Sequence, residues 1–315
     1  MNTTILFPGQ GSQYINMCSN LEKDFLIVRQ IFEEANESLG FNIKKMIETS
    51  TMEELTRSEN AQPAIIAASY AFYKVFEQLT GVKPDYAAGH SLGEISALIA
   101  AGAMSFKDGI VYARKRGQIM AKAAEGKRGR AGVVIDVEEN KLREIIEDIN
   151  KNDYVIISGY NSPKQFIVAG TESAVLKIDD KLDEIGAQFI PFRMIPMKAD
   201  APYHTELMAY LKEELESILS EIKFKGLEFK IYSTVTGSLI TERDNIGEIL
   251  SRQLISPIKW NQAVDKINNS GTDLFIDIGP KTIMRNLMRE NSELKQQILA
   301  FDDKDDRKSI LDLLK

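Results

Sequence analysis

The chemistry in this chain centres on one serine, two histidines and an unusual run of cations. Ser91 stands in Gly89-His90-Ser91-Leu92-Gly93. Before it, Pro84-Asp85-Tyr86-Ala87-Ala88 reads as a short buried strand; after it, residues 94–101 read as a buried helix. G-x-S-x-G on a strand-turn-helix is a nucleophile elbow, whose glycines clear space for a tight turn that holds the hydroxyl at a helix N-terminus. There the N–H of the residue after the serine, together with the helix dipole, can stabilise an oxyanion. A serine nucleophile needs a base, and histidine is the usual one. The chain has two: His90 inside the elbow, and His204 in a proline-marked loop before a helix. His90 is adjacent to the serine and points elsewhere on the turn, so the base is His204 or a residue of another type. Serine before histidine is the hydrolase order, and Asp200 and Asp277 both stay open as a third member. Arg114, Lys115 and Arg116 usually would make a solvated face. Arg114 and Arg116 nevertheless project about 200° apart on a helix. One of them should point inward, where it needs a structural carboxylate or a ligand as partner.

These residues have to be positioned by an α/β scaffold. Thr4-Ile5-Leu6-Phe7 reads as a strand running into Pro8-Gly9-Gln10-Gly11-Ser12-Gln13, either a ligand-facing loop at a strand's carboxyl end or, as spacing alone favours, a tight turn. An amphipathic helix is expected over 26–39, a capping box at Thr51 to Glu54, and a long helix over 64–79 with Pro63 in its first turn. Gln62 at that helix mouth reads as a solvated loop residue. The elbow is followed by a helix over 106–124. After the break Gly126-Lys127-Arg128-Gly129-Arg130, the pattern becomes strand 131–136, helix 139–150, strands 154–159 and 165–169 joined through Asn161-Ser162-Pro163, helix 173–185 and strand 187–192. That βαββαβ order is a ferredoxin-like unit inserted in a larger domain. The expected division is residues 1–128 and 196–315 for the large domain and 129–195 for the small one. The chain returns through Met197 to His204 into a helix over 206–219, with strands at 229–233 and 273–280 and a helix at 282–289. The charged run 302–308 reads as a solvated or loosely docked tail.

The bulk properties narrow the function. The 315 residues are 43% hydrophobic and 27% charged, with 39 basic against 46 acidic residues and a net charge of −7. An acidic chain without a basic stripe argues against nucleic acid. The single cysteine, Cys18, rules out an internal disulfide and a cysteine zinc site and reads as a small buried hydrophobe. Metal and dinucleotide motifs are absent from the sequence, which disfavours metal and nucleotide chemistry. No basic leader and no membrane-length apolar run are found, and a cytoplasmic protein is expected.

Taken in order, Phe7 to Gln13, Gln62-Pro63-Ala64, Gly89 to Glu94, Arg116-Gly117, Pro202-Tyr203-His204, Arg252-Gln253-Leu254 with Pro257 and Trp260, and Asp277-Ile278-Gly279-Pro280 resemble the malonyl-CoA:acyl-carrier-protein transacylases. These include the fatty-acid-synthesis type and the discrete acyltransferases that serve polyketide synthases in trans. The resemblance spans about residues 4–290. It implies an α/β-hydrolase-like large domain with a ferredoxin-like insert. It implies that Ser91 is acylated by malonyl-CoA with His204 as general base, oriented by the backbone carbonyl of Gln253 rather than by an acid. The N–H groups of Gln10 and Leu92 would form the oxyanion hole, Arg116 would grip the malonate carboxylate, and His90, Asn161 and Gln62 would line the pocket. The acyl group would pass to the phosphopantetheine thiol of an acyl carrier protein, the implied partner, with no metal and no bound cofactor required. A monomer is expected. Lys122, Lys127, Arg128 and Arg130 are candidates for docking that carrier, with a solvated loop as the plainer reading of each. Asn16-Met17-Cys18 replaces the usual Gly-Met-Gly, Tyr203 and Thr205 flank the base where phenylalanine and serine are commonest, and Ala131 lies where methionine is frequent. These departures lean toward a trans-acting polyketide role and leave strictness for unsubstituted malonate open. The alternatives are an acyl hydrolase that clears carrier proteins, against which Arg116 speaks, and a non-catalytic carrier-binding module, against which Ser91, His204 and Gln10 speak.

Overall fold

A computed structural model describes residues 1–195, 200–290 and 296–315. Its strands in chain order are β1 (Thr3–Phe7), β2 (Tyr86–Gly89), β3 (Arg130–Ile135), β4 (Val155–Ser162), β5 (Gln165–Gly170), β6 (Gln188–Pro191), β7 (Lys230–Ser233), β8 (Ser238–Leu239), β9 (Leu274–Asp277) and β10 (Gln297–Ala300). They form a six-stranded sheet in the order β10-β9-β1-β2-β7-β8 and a four-stranded sheet in the order β4-β5-β3-β6. The larger sheet is parallel apart from the hairpin partner β8. Its strands are covered on both faces, as a parallel sheet requires. Along β1, Ile5 and Phe7 face a core shared with the helices Leu26–Leu39, Ser58–Thr80 and Phe106–Glu125, while Leu6 faces a second core with Trp260, Phe275 and Met284. Chain order reverses about β1, because β2 lies on one side of it and β9 on the other. The carboxyl ends of strands at such a reversal are where open α/β sheets bind ligands. The loops after β1, β2 and β9 all emerge there.

The four-stranded sheet is antiparallel, and its β-α-β-β-α-β order matches the ferredoxin-like expectation. One face packs on the helices Glu139–Ile149 and Glu172–Glu184 around Val134, Leu142, Phe166 and Ile178. The other presents Ala131 and Ala169 to the main core. The two sheets are tied by backbone bonds: Ile258 N–H donates to the Ser158 carbonyl at 2.9 Å and Tyr160 N–H to the Ile258 carbonyl at 2.8 Å.

Several elements differ from the sequence expectation. The helix expected from Ala64 begins at Ser58, so Pro63 lies inside it. A proline there removes the bond to the carbonyl four residues back. That carbonyl, on Glu59, instead accepts from the Arg114 guanidinium, which also bonds Asn60 Oδ1. Gln62 is accordingly fully buried (0% exposed) rather than a solvated loop residue. Asn161 and Ser162 lie within β4, not in a connecting loop. The segment expected as one helix over 206–219 opens as a 3-10 turn, Glu206–Leu211, before the α-helix Lys212–Ser220. The tail is docked: Asp303 and Asp306 meet Arg285, and Ile310 of the helix Lys304–Leu314 is buried. Of the expected return loop Met197 to His204, residues 197–199 lie outside the described residues, as does the start of the second large-domain segment at 196. Among the described residues no helix is long and apolar enough to cross a membrane.

Candidate active site

The elbow follows from close approach of three backbones. A Cβ on Gly89 would collide with the Gly93 backbone, and one on Gly93 with the Phe7 carbonyl oxygen. Only glycine at both positions lets β2 turn tightly into the helix Leu92–Ala100 beside the end of β1. Between them Ser91 has φ 51° and ψ −104°, a conformation costly for a side-chain-bearing residue. The turn lifts the hydroxyl off the sheet.

Ser91 Oγ lies 3.0 Å from His204 Nε2, and His204 Nδ1 lies 2.6 Å from the Gln253 carbonyl oxygen. A carbonyl can only accept, so Nδ1 carries the proton and Nε2 is left as the acceptor for the serine hydroxyl. His204 also has positive φ, 61°, an uncommon conformation for a residue with a side chain. Burial and the Arg116 charge push its pKa from 6.5 down to about 3. Neither carboxylate considered from the sequence is the orienting group. Asp277 Oδ2 accepts from the Met284 and Arg285 N–H groups, capping a helix. Asp200 faces Arg130, Arg193 and the Ala131 N–H.

Arg116 is the inward-pointing cation. It is 3% exposed, on the helix Phe106–Glu125. Its Nη1 donates to Gln62 Oε1 at 2.8 Å, and its Nη2 donates to Gln253 Oε1 at 3.0 Å and Ser91 Oγ at 3.2 Å. The carboxylate partner expected of a buried arginine is missing, since no acidic group lies within ion-pair distance of it among the described residues. Burial lowers its pKa, though an arginine remains charged at any working pH. The result is a desolvated guanidinium beside the Ser91 hydroxyl with only neutral hydrogen-bond partners.

A small chamber of about 60 Å³ is lined by Gln10, His90, Ser91, Leu92, Arg116, Met120, Ile167, Phe192, Tyr203 and His204. It adjoins a wider cleft of about 310 Å³ between the sheets, which shares Gln10, His90, Ile167 and Phe192 and reaches Asn286 and Glu290. The Gln10 and Leu92 backbone N–H groups have no acceptor among the described residues. The Gln10 side chain donates to Ser58 Oγ and accepts from Gln62. His90 Nε2 bonds Asn161 Oδ1 at 2.8 Å, away from the serine, and burial lowers its pKa. Gln10, Gln62, His90, Ser91, Leu92, Arg116, Asn161, His204 and Gln253 are thus brought together. Sequence reasoning missed Met120, Ile167 and Phe192 in the chamber wall. Met120 was within reach, lying one helical turn after Arg116 on the same face.

The proposed docking cations are mostly engaged. Lys122 pairs with Glu214, Arg130 with Glu172, and Arg128 stacks 3.7 Å over the Tyr210 ring. Among the described residues no group of three or more His, Cys, Asp or Glu could hold a metal.

The arrangement can perform acyl transfer through a serine ester, and comparison with known proteins points the same way. Residues 4–303 match the model of the acyl transferase domain. A malonyl CoA-acyl carrier protein transacylase of Bacillus subtilis (strain 168) is 35% identical over 292 residues, covering 92% of this chain and 90% of that protein. The structure of the malonyl CoA-acyl carrier protein transacylase from Clostridium perfringens superposes with a TM-score of 0.92 at 30% identity, covering 100% and 97% of the two chains. A type II PKS acyl-carrier protein in complex with its malonyl-transacylase gives 0.92 at 29% identity, covering 99% and 100%. With its motifs, fold and family match in agreement, the chain belongs to the acyl transferase domain family.

Proposed function

We propose that this protein moves a malonyl group from malonyl-CoA to the phosphopantetheine thiol of an acyl carrier protein, through a Ser91 ester. The observation that carries the reading is Arg116, a buried cation 3.2 Å from Ser91 Oγ with no acidic partner among the described residues. A guanidinium desolvated in this way is stabilised by a ligand carboxylate bound bidentately, and an acyl group carrying a free carboxylate supplies one. A neutral acyl chain would offer the guanidinium no charge-assisted partner of its own.

In the first half-reaction Ser91 Oγ attacks the thioester carbonyl carbon while its proton passes to His204 Nε2. The Gln10 and Leu92 N–H groups receive the oxyanion, and Gln253 O holds the imidazolium through Nδ1. Collapse breaks the C–S bond, and the CoA thiolate leaves with the proton from His204. The second half repeats these steps in reverse, with the carrier thiol giving its proton to His204 and attacking the ester carbon to free Ser91. Gln62 and Gln253 fix Arg116 from two sides, and His90 and Asn161 shape the wall facing the cleft. The cleft between the sheets is the route for the pantetheine arm. A cytoplasmic, monomeric enzyme serving fatty acid or polyketide synthesis belongs to the same reading.

The test is to load the protein from malonyl-CoA and add a holo carrier protein. Malonyl-carrier should form one-for-one with released CoA, and Arg116→Ala should slow malonyl loading roughly a hundredfold through loss of charge-assisted bonds. Free malonate appearing in place of malonyl-carrier, or acyl chains stripped from a loaded carrier, would establish the hydrolase instead.

A further inference from the structure

Glu94, the residue after the elbow's second glycine, takes no part in the steps above, yet it is fully buried (0% exposed) in the first turn of the helix Leu92–Ala100. No cation pairs with it among the described residues. Its Oε2 accepts from Thr234 N–H at 3.2 Å, from Thr234 Oγ1 at 2.9 Å and from Gln253 Nε2 at 3.4 Å. A buried carboxyl placed among neutral donors is costly to keep, so its geometry calls for a reason.

That reason lies in Gln253. Its backbone carbonyl accepts from His204, and its Oε1 accepts from Arg116. Its Nε2 has two hydrogens, one for the Ser91 carbonyl at 3.1 Å and one for Glu94 Oε2. One amide therefore touches the element bearing the nucleophile and the acyl-binding cation, while the same residue's main chain holds the base. An amide can flip by exchanging its oxygen and nitrogen, and a flip here would set an NH₂ against the guanidinium. Two acceptors on the nitrogen side forbid it.

We propose that Glu94 is a positioning residue that fixes the Gln253 amide, and through it the aim of Arg116 at the acyl carboxylate. The inference rests on the malonyl-transfer reading. It predicts that Glu94 governs selectivity for a carboxylated acyl group more than it governs the serine chemistry.

The experiment measures acyl-enzyme formation from malonyl-CoA and from acetyl-CoA and takes the ratio of the two kcat/KM values, in which the fraction of active protein cancels. Wild type failing to prefer malonyl-CoA would sink the functional reading itself, which separates that failure from failure of this inference. Given that preference, Glu94→Met, which removes the acceptor at similar size, should lower the ratio by about tenfold, as expected for the misplacing of a charge-assisted contact. Glu94→Gln can still offer an oxygen to Gln253 and should restore the ratio to within about threefold of wild type, well above Glu94→Met. Gln253→Met, which keeps the backbone carbonyl, should reproduce the loss and serves where Glu94→Met does not fold. A ratio unchanged or raised in Glu94→Met or Gln253→Met would overturn the proposal. So would a Glu94→Gln ratio as low as that of Glu94→Met, since that would assign the effect to charge.

Discussion

At the scale of single residues, Arg116 helps set the properties of the proposed base, His204. His204 is buried beside Arg116, and both burial and that positive charge oppose its protonation, giving a pKa of about 3 against 6.5. The depressed value keeps Nε2 free to accept across the whole working range. Because kcat/KM reports the free enzyme, its acid limb should lie well below the ordinary histidine range. Acyl-enzyme formation from malonyl-CoA should change by less than about twofold between pH 8 and 5.5, where a histidine of unperturbed pKa would lose roughly tenfold. A stopped-flow pH profile with an acid limb near 6.5 would contradict this. Bound substrate would weaken the shift without removing it: its carboxylate neutralises Arg116, so His204 becomes easier to protonate and the limb of kcat should move upward, while burial still holds it below the ordinary value. A dicarboxylic acyl group would in this way raise the basicity of the histidine that serves it.

At the scale of elements, the elbow stores strain for function. Ser91 holds φ 51° and ψ −104° because Gly89 and Gly93 press β2 against the following helix, which over-determines the turn. Glycine adopts such a conformation freely, so Ser91→Gly should be more stable than Ser91→Ala by about 1 kcal/mol while remaining equally inactive. Thermal denaturation of the two variants checks it, and equal midpoints would mean that the turn is unstrained. The elbow was legible because its chemistry is local: two glycines, a strand pattern before and a helix pattern after. Other parts were not. Pro63 reads as a helix start, and only Arg114, arriving from another helix to occupy the Glu59 carbonyl, lets the helix run through it. The orienting partner of His204 is a backbone carbonyl, which every residue possesses, so no side-chain pattern could mark Gln253 apart from the family resemblance. Met120, by contrast, carried a readable signal in its spacing from Arg116.

At the scale of the whole molecule, the site is made where two sheets meet. The large sheet delivers Gln10 and Ser91 from the ends of β1 and β2, and the small sheet closes the cleft with Asn161 and Ile167. The βαββαβ order of the small unit was readable from alternating patterns, since each of its strands and helices is patterned for its own core. Its seating was not, because the bonds between Ile258 and the Ser158–Tyr160 backbone link segments about 100 residues apart. Nor was the seating of the last helix, whose charged run reads equally as solvated or loosely docked until Arg285 is found facing Asp303 and Asp306. The central claim, that this cleft carries a malonyl group on Ser91, is tested most directly by intact-protein mass spectrometry after mixing with malonyl-CoA. The account predicts one malonyl adduct on the wild type, none on Ser91→Ala, and loss of the adduct to a holo carrier protein when one is added. An adduct that persists in Ser91→Ala, or wild-type protein that stays unmodified while malonyl-CoA is intact, would contradict it.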